Sequence, residues 1–251
     1  MIKFFRNIRK KLAAENKAAA YSRYAIGEII LVVIGILIAL QINNWNEHRK
    51  ETVELREYLH KISNNVKQDI EQVESLKIRR DTVRAKATRS AKALMRKDFS
   101  NIEDIIQGQR VFYEFYFIPD KSGFEALKNS QFLGKINNTK VDSLLTLYYS
   151  RVEKIHKAEE SYNVFIENME AQLSINVDKT PFVLLFDKRM NGEDVNINEY
   201  YDILPYIQDN AFKSAVYRTL GEQTYMGNYP RLIELGNTLI QEINTLCETN
   251  D

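Results

Sequence analysis

The side chains able to do chemistry are few, and their spacing builds no recognised site. The three histidines are His48, His60 and His156. His48 and His60 lie twelve residues apart in a stretch that reads as one helix, which is not a metal-ligand spacing, and no HExxH motif occurs. They read as solvated histidines. Cys247 is the single cysteine, so an internal disulfide or a multi-cysteine zinc site is excluded. With no histidine motif beside it, it reads as an incidental thiol near a fraying end. Glu159 and Glu160, or Glu167 and Glu170, have the proximity an acid–base pair requires, but a solvated helix face accounts for both. Asn191-Gly-Glu-Asp194-Val-Asn196 offers oxygen ligands without the EF-hand spacing. Phosphate loops and the GxSxG elbow are absent. The expectation is therefore no enzyme, no catalytic residue, no cofactor and no metal.

The richest feature is aromatic. Phe112 to Phe124 is dense in rings, and Tyr148, Tyr149, Tyr200, Tyr201 and Tyr206 follow. They read as core between long helices, with a groove for an apolar ligand as the alternative. Charge is balanced, 35 Lys+Arg against 34 Asp+Glu, so the basic excess of a nucleic-acid binder is missing. Only 9 Gly and 4 Pro interrupt the 251 residues, which favours long helices.

One of those helices has the composition of a membrane span. The uninterrupted apolar run is Ile29 to Leu40, and residues 24–42 together reach the length that crosses about 30 Å of hydrocarbon. Tyr21, Tyr24 and Trp45 stand where interfacial aromatics belong. No small-x-small cleavage site follows the run, so it reads as an uncleaved signal anchor. Before it lie Lys3, Arg6, Arg9, Lys10, Lys11, Lys17 and Arg23; after it Arg49, Lys50, Arg56 and Lys61 alternate with acids. Seven cations against four place the N-terminus in the cytoplasm and the remainder across the membrane. Ile2, Phe5, Ile8 and Leu12 share a helical face, the pattern either of a helix lying on an anionic leaflet or of a plain topology signal. Gly27, Leu31, Gly35 and Ala39 recur every four residues as a candidate membrane-association face. Glu28 is a candidate intramembrane polar contact, although its depth also fits a carboxylate reaching headgroup water.

Beyond the span, Leu55, Leu59, Ile62, Val66, Asp69, Val73, Leu76, Arg80, Val83, Ala87, Ser90 and Leu94 alternate spacings of four and three. Nine of the twelve are apolar, which is a heptad seam. Asp69 and Arg80 weaken it, leaving open a parallel dimer or one helix of a bundle. The helix is expected to run to about Arg96. Val141, Leu145, Tyr148, Val152, Ile155, Glu159, Tyr162, Ile166, Met169 and Leu173 repeat the rhythm in a second long helix, and the two are expected to pack antiparallel. Between them, 111–118 reads as a short strand, an extended segment or a buried helix end. A short helix capped by Ser122 follows, then a cap at Asn138 or Thr139. Regularity is lost from Val177 to Asn198, where 181–186 reads as a docked apolar segment. Two shorter helices close the chain, about Asp209 to Met226 and Pro230 to Glu248, the latter with Leu232, Leu235, Leu239, Ile243 and Leu246 inward.

The opening residues carry a resemblance. Met1-Ile-Lys-Phe-Phe-Arg-Asn-Ile-Arg-Lys-Lys-Leu12, Glu15-Asn-Lys17 and the stretch from Tyr24 through Gly27-Glu28 to Asn43-Asn-Trp-Asn46 closely resemble the start of an uncharacterised bacterial family. It is catalogued as a domain of unknown function, with one N-terminal span, and is seen mainly in Gram-negative bacteria. Ser122-Gly-Phe-Glu-Ala-Leu-Lys-Asn-Ser130 and Leu144-Leu-Thr-Leu-Tyr-Tyr149 resemble its mid-domain pattern more loosely. The resemblance implies an inner-membrane protein with a helical exterior domain and brings no activity.

The expected organisation is all-α. It comprises a basic cytoplasmic or interfacial segment (1–23), a transmembrane helix (24–42) and a helical, periplasmic domain (43–251) in an elongated bundle. The expected role is a membrane-anchored binding or scaffold protein; a sensory module acting through a membrane partner is the alternative, and an envelope enzyme a weaker one. Its partners are the lipid bilayer, a second copy, or an unidentified membrane or periplasmic protein.

Overall fold

The computed structural model describes residues 18–98, 102–221 and 227–249. Residues 1–17 of the basic segment, with Ile2, Phe5, Ile8 and Leu12, lie outside the described residues, as does Met226. Helix α1 spans Ala18–Arg96, in keeping with the lack of Gly and Pro between Gly35 and Gly108. Lys97 ends it in the left-handed region, at φ 50, and the Asp98 N–H reaches back to the Ala93 carbonyl at 3.0 Å. That is the bond of a Schellman stop. There is no strand among the described residues.

Two compact units divide the chain, Met1–Glu57 and Tyr58–Asp251. In the first, α1 is long and apolar enough to cross a membrane, and no side chain of its apolar window is buried. Ile29 is 62% exposed and Leu31 68%. Among the described residues, burial along the helix begins at Leu55.

In the second unit the seam is the core. Leu59, Ile62, Val66 and Val73 are at most 1% exposed, and each such side chain contributes about 1.5–3 kcal/mol when fully buried. Every seam position of this unit, from Leu59 through Leu76 to Leu94, is buried, Asp69, Arg80 and Ser90 included. The covering elements come from the same chain, so the stripe packs inside a bundle.

After α1 come α2 (Ile102–Ile106), a 3₁₀ segment (Gln107–Phe112), α3 (Ser122–Lys128) and α4 (Leu133–Ile136). Then α5 spans Lys140–Asn176. Thr139 caps it, accepting the Asp142 N–H at 3.3 Å. The two long helices run parallel, not antiparallel. Tyr148 donates to Asp69 at 3.0 Å and Arg80 to Glu159 at 3.2 Å, both pairs 79 positions apart, so the contacts ascend both helices together. The reason lies in the connector, whose length lets it return to the start of the seam. It descends α1 step by step: Ser90 donates to the Ile105 carbonyl, Arg80 to Phe115, Gln72 accepts the Ile118 N–H, and Asn65 that of Gly123.

Of the three readings for 111–118, the extended one holds from Tyr113 onward, where no regular element forms until Ser122. Ser122 is the first residue of α3 rather than its cap; Asp120 Oδ1 accepts its N–H at 2.8 Å. The stretch read as irregular contains α6 (Thr180–Met190), with Pro181 in its first turn and Phe182 and Leu185 buried. Helix α7 (Ile197–Asp202) starts on a capping box between Asn196 and Glu199. The turn between them places Gly192 at φ 72, where a side chain is strained.

Then follow α8 (Leu204–Gln208), α9 (Asn210–Gly221) and α10 (Asn228–Thr249). Both α9 and α10 run against α5: Tyr162 meets Thr219 and Asn176 meets Asp209, while Arg151 meets Asn228 and Lys140 meets Glu242. Leu232, Leu239 and Ile243 are buried on α10 as expected, but Leu235 and Leu246 are only half-buried. Cys247 is buried and not a residue of a fraying end. Gly236 lets α10 approach α1, since a Cβ there would lie 2.9 Å from Ile70 Cδ1 and 3.0 Å from Val66 Cγ1.

Candidate functional site

The charged residues that interrupt the two apolar stripes meet one another. Arg80 on α1 and Glu159 on α5 are 2% and 1% exposed, and their charged atoms lie 3.2 Å apart. Arg80 Nη2 also donates to the Phe115 carbonyl at 2.5 Å, which accepts a second bond from Asn163 Nδ2 at 3.3 Å. The guanidinium lies over the rings of Phe115 and Tyr162. Glu159 accepts the Phe117 N–H at 2.9 Å on Oε2 and the Tyr229 hydroxyl on Oε1. One buried ion pair thus holds α1, α5, the extended segment and α10. The reading of Glu159 as a solvated carboxylate is overturned: it sits on the inward stripe, and its charge is matched by Arg80 and by two further donors.

Three turns lower, Asp69 repeats the arrangement. It accepts the Asp120 N–H on Oδ1 at 2.9 Å and the Tyr148 hydroxyl on Oδ2 at 3.0 Å. Asn65 donates to Asp120 at 2.5 Å and accepts the Gly123 N–H at 2.9 Å. Burial raises the Asp69 carboxyl above its ordinary value, opposed by the Asp120 N–H and the Tyr148 hydroxyl. Burial, and then the Asp69 charge, push the Tyr148 phenol up. Asp120 is held below the usual range by the N–H and hydroxyl of Ser122. Extended backbone between helices needs partners for its N–H and carbonyl groups; Asp69, Arg80 and Glu159 on the stripes, with Asn65 and Gln72 beside them, supply them.

The pair is enclosed. The cavity beside it, lined by Arg80, Val83, Tyr113, Phe115, Tyr162 and Thr219, measures about 10 Å³, the lower limit for a single water. A shallow cleft of about 220 Å³ beside α6 is lined by Asp178, Thr180, Pro181, Leu184, Leu185, Glu199 and Asp202. That is below the volume of most small-molecule sites. The aromatics mostly fill the core: Phe124 stacks on Tyr149 at 4.4 Å and Phe182 on Tyr206 at 4.3 Å. Tyr201 is instead 61% exposed.

Among the described residues no three His, Cys, Asp or Glu side chains gather as metal ligands. His48, His60 and His156 are exposed. Gly27, Leu31, Gly35 and Ala39 are exposed on α1, and a Cβ at Gly27 or Gly35 would meet nothing within 4 Å. Glu28 is half-exposed on the same helix. Asp69 and Arg80, the charged interruptions of the seam, each face a partner on α5. The signal that pairs them is the constant offset of 79 between the stripes, which sets Asp69 beside Tyr148 and Arg80 beside Glu159.

A family of unknown function (DUF6090) matches residues 28–168, more than half of the chain. The chain belongs to this family. The DUF6090 region takes in the apolar part of α1, the seam, the connector and most of α5, so Asp69, Arg80, Tyr148 and Glu159 all lie inside it. Tyr229 on α10 lies beyond it. No curated protein and no solved structure matches the chain.

Proposed function

We propose that this DUF6090 chain is a single-pass membrane protein whose helical domain binds or scaffolds a partner and performs no catalysis. The observation that carries the reading is the exposed apolar surface of α1, Ile29 at 62%, Val32 at 55% and Leu40 at 53%, on a helix long enough to span a bilayer. An uncovered apolar cylinder of this length is stable in lipid and costly in water. The enclosed polar pair supports the non-catalytic half of the reading, because its acid and base groups are spent on one another and on backbone groups.

In this reading the N-terminus is cytoplasmic and the domain periplasmic, in the inner membrane of a Gram-negative cell, because seven cations precede the span and four follow it. The partner is a second copy meeting through Gly27, Leu31, Gly35 and Ala39, or another membrane or periplasmic protein. Two experiments test it. A periplasm-active reporter fused after Asp251 is expected to be active, and activity from a cytosol-only reporter there overturns the orientation. Affinity purification from gently solubilised membranes is expected to recover a stoichiometric partner. A monodisperse monomer that turns over an envelope substrate overturns the scaffold.

A further inference from the structure

We propose that Lys86 and Arg110 form a binding site for a phosphate group where α1 meets the 3₁₀ segment. Lys86 Nζ donates to Gln107 Oε1 at 2.8 Å, and Arg110 Nε donates to the same oxygen at 3.2 Å. Two cations therefore converge on one neutral acceptor, an arrangement that leaves their mutual repulsion uncompensated.

The carboxylates nearby are engaged elsewhere. Asp104 pairs with Arg89 at 3.2 Å, and Glu103 pairs with Arg189 and accepts Gln107 Nε2 at 2.7 Å. Four cations thus face two carboxylates, each already held by an outer arginine. Among the described residues no carboxylate contacts the Lys86 ammonium or the Arg110 guanidinium. Burial, with the charges of Arg110 and Arg89, lowers the Lys86 ammonium from its ordinary value, in keeping with a local shortage of anions.

The donors are also presented in a usable way. Lys86, Gln107 and Arg110 are half-buried, so a ligand can reach them while its own charge is partly desolvated. The Arg110 Cζ lies over the Tyr113 ring, 5.8 Å from its centroid, within cation–π range. A lysine has three donors and an arginine five, of which Gln107 takes one each. A phosphate accepts several charge-assisted bonds at once and supplies the missing negative charge, which the amide oxygen of Gln107 cannot.

The test uses the full chain in detergent, titrated with inorganic phosphate against sodium chloride at matched ionic strength, with binding read by calorimetry and by melting temperature. Saturable binding is expected in the wild type. Lys86→Gln and Arg110→Gln should each weaken it about tenfold or more, the loss of one charge-assisted bond. Lys86→Arg keeps the charge and should retain it. Glycerol phosphate and dioctanoyl phosphatidic acid then separate the sources. Tighter binding of the lipid points to a headgroup, equal binding to a soluble phosphate, and either supports the site. Binding no stronger than chloride, or unchanged in a folded Lys86→Gln variant, overturns it.

Discussion

Arg80 Nη2 lies 3.2 Å from Glu159 Oε1, with 79 positions between them in sequence and neither side chain more than 2% exposed. Such a pair is a weak source of net stability but a severe loss when one partner goes, because the other charge is left buried. Arg80→Met or Glu159→Gln should each destabilise the domain by about 3–5 kcal/mol. In a chain of this size that is about 10 °C in melting temperature. Arg80→Met combined with Glu159→Gln should cost less than the two single changes added together. Additive losses in denaturant melts would mean that the two residues act separately.

Asp69 should give the domain a pH dependence of unusual sign. Its folded carboxyl is raised above 3.8, so between 3.8 and the raised value the native state holds a proton that the unfolded chain releases. Stability from this group therefore falls as pH rises through that window and is regained on acidification. Asp120, held low, acts oppositely, and its contribution is lost as pH falls below 3.8. Asp69→Asn keeps one acceptor and should stay within about 1 kcal/mol of wild type at neutral pH. The wild type should gain on this variant as pH falls from neutrality toward about 4. A melting difference independent of pH would refute the assignment.

The helices and the seam were legible because their evidence is local: a spacing of four and three survives without knowledge of partners. The seam residues Leu55, Leu59, Ile62, Val66, Val73 and Leu76 are all buried. The direction of α5 was not legible, since it depends on where the connector goes, and nothing periodic marks 113–121. Its path is set by single contacts, such as Asn65 to Gly123 and Asp69 to Asp120. The helix at Thr180–Met190 was missed because two buried residues, Phe182 and Leu185, are too few to make a stripe.

Gly123 is the point where the connector comes closest to α1. A Cβ there would lie 2.6 Å from Asn65 Oδ1 and 2.9 Å from the Ile62 backbone nitrogen, which cannot give way. Gly123→Ala should cost about 1–3 kcal/mol by overpacking. Gly134, on α4, meets nothing within 4 Å, so Gly134→Ala should gain about 0.5–1 kcal/mol from helix propensity. Urea midpoints distinguish the two, and equal shifts would show that the close approach at Gly123 is not a constraint.

Gly35 also has open space around it, with no atom within 4 Å of an added Cβ, so Gly35→Leu should leave the melting of the helical domain unchanged. Its effect should appear between copies. If the face of Gly27, Leu31, Gly35 and Ala39 mediates self-association, the larger side chain keeps two backbones apart and cross-linking in native membranes should fall. Unchanged cross-linking would leave the span as a plain anchor.

Glu28 tests the polar end of the same helix. It lies four residues beyond Tyr24 and one before the uninterrupted apolar run Ile29 to Leu40. At about 1.5 Å per residue this is a shallow depth, within reach of headgroup water for a flexible carboxylate side chain. A neutral amide is easier still to place there, so Glu28→Gln should leave insertion, abundance and oligomeric state unchanged. A carboxylate recognised by a partner's cation inside the membrane would behave differently. The same substitution would strand that cation in a poorly solvated region, and the partner should dissociate. Quantifying co-purified protein from wild-type and Glu28→Gln membranes separates the two outcomes. Equal recovery is expected, and selective loss of one protein would make Glu28 an intramembrane recognition residue instead.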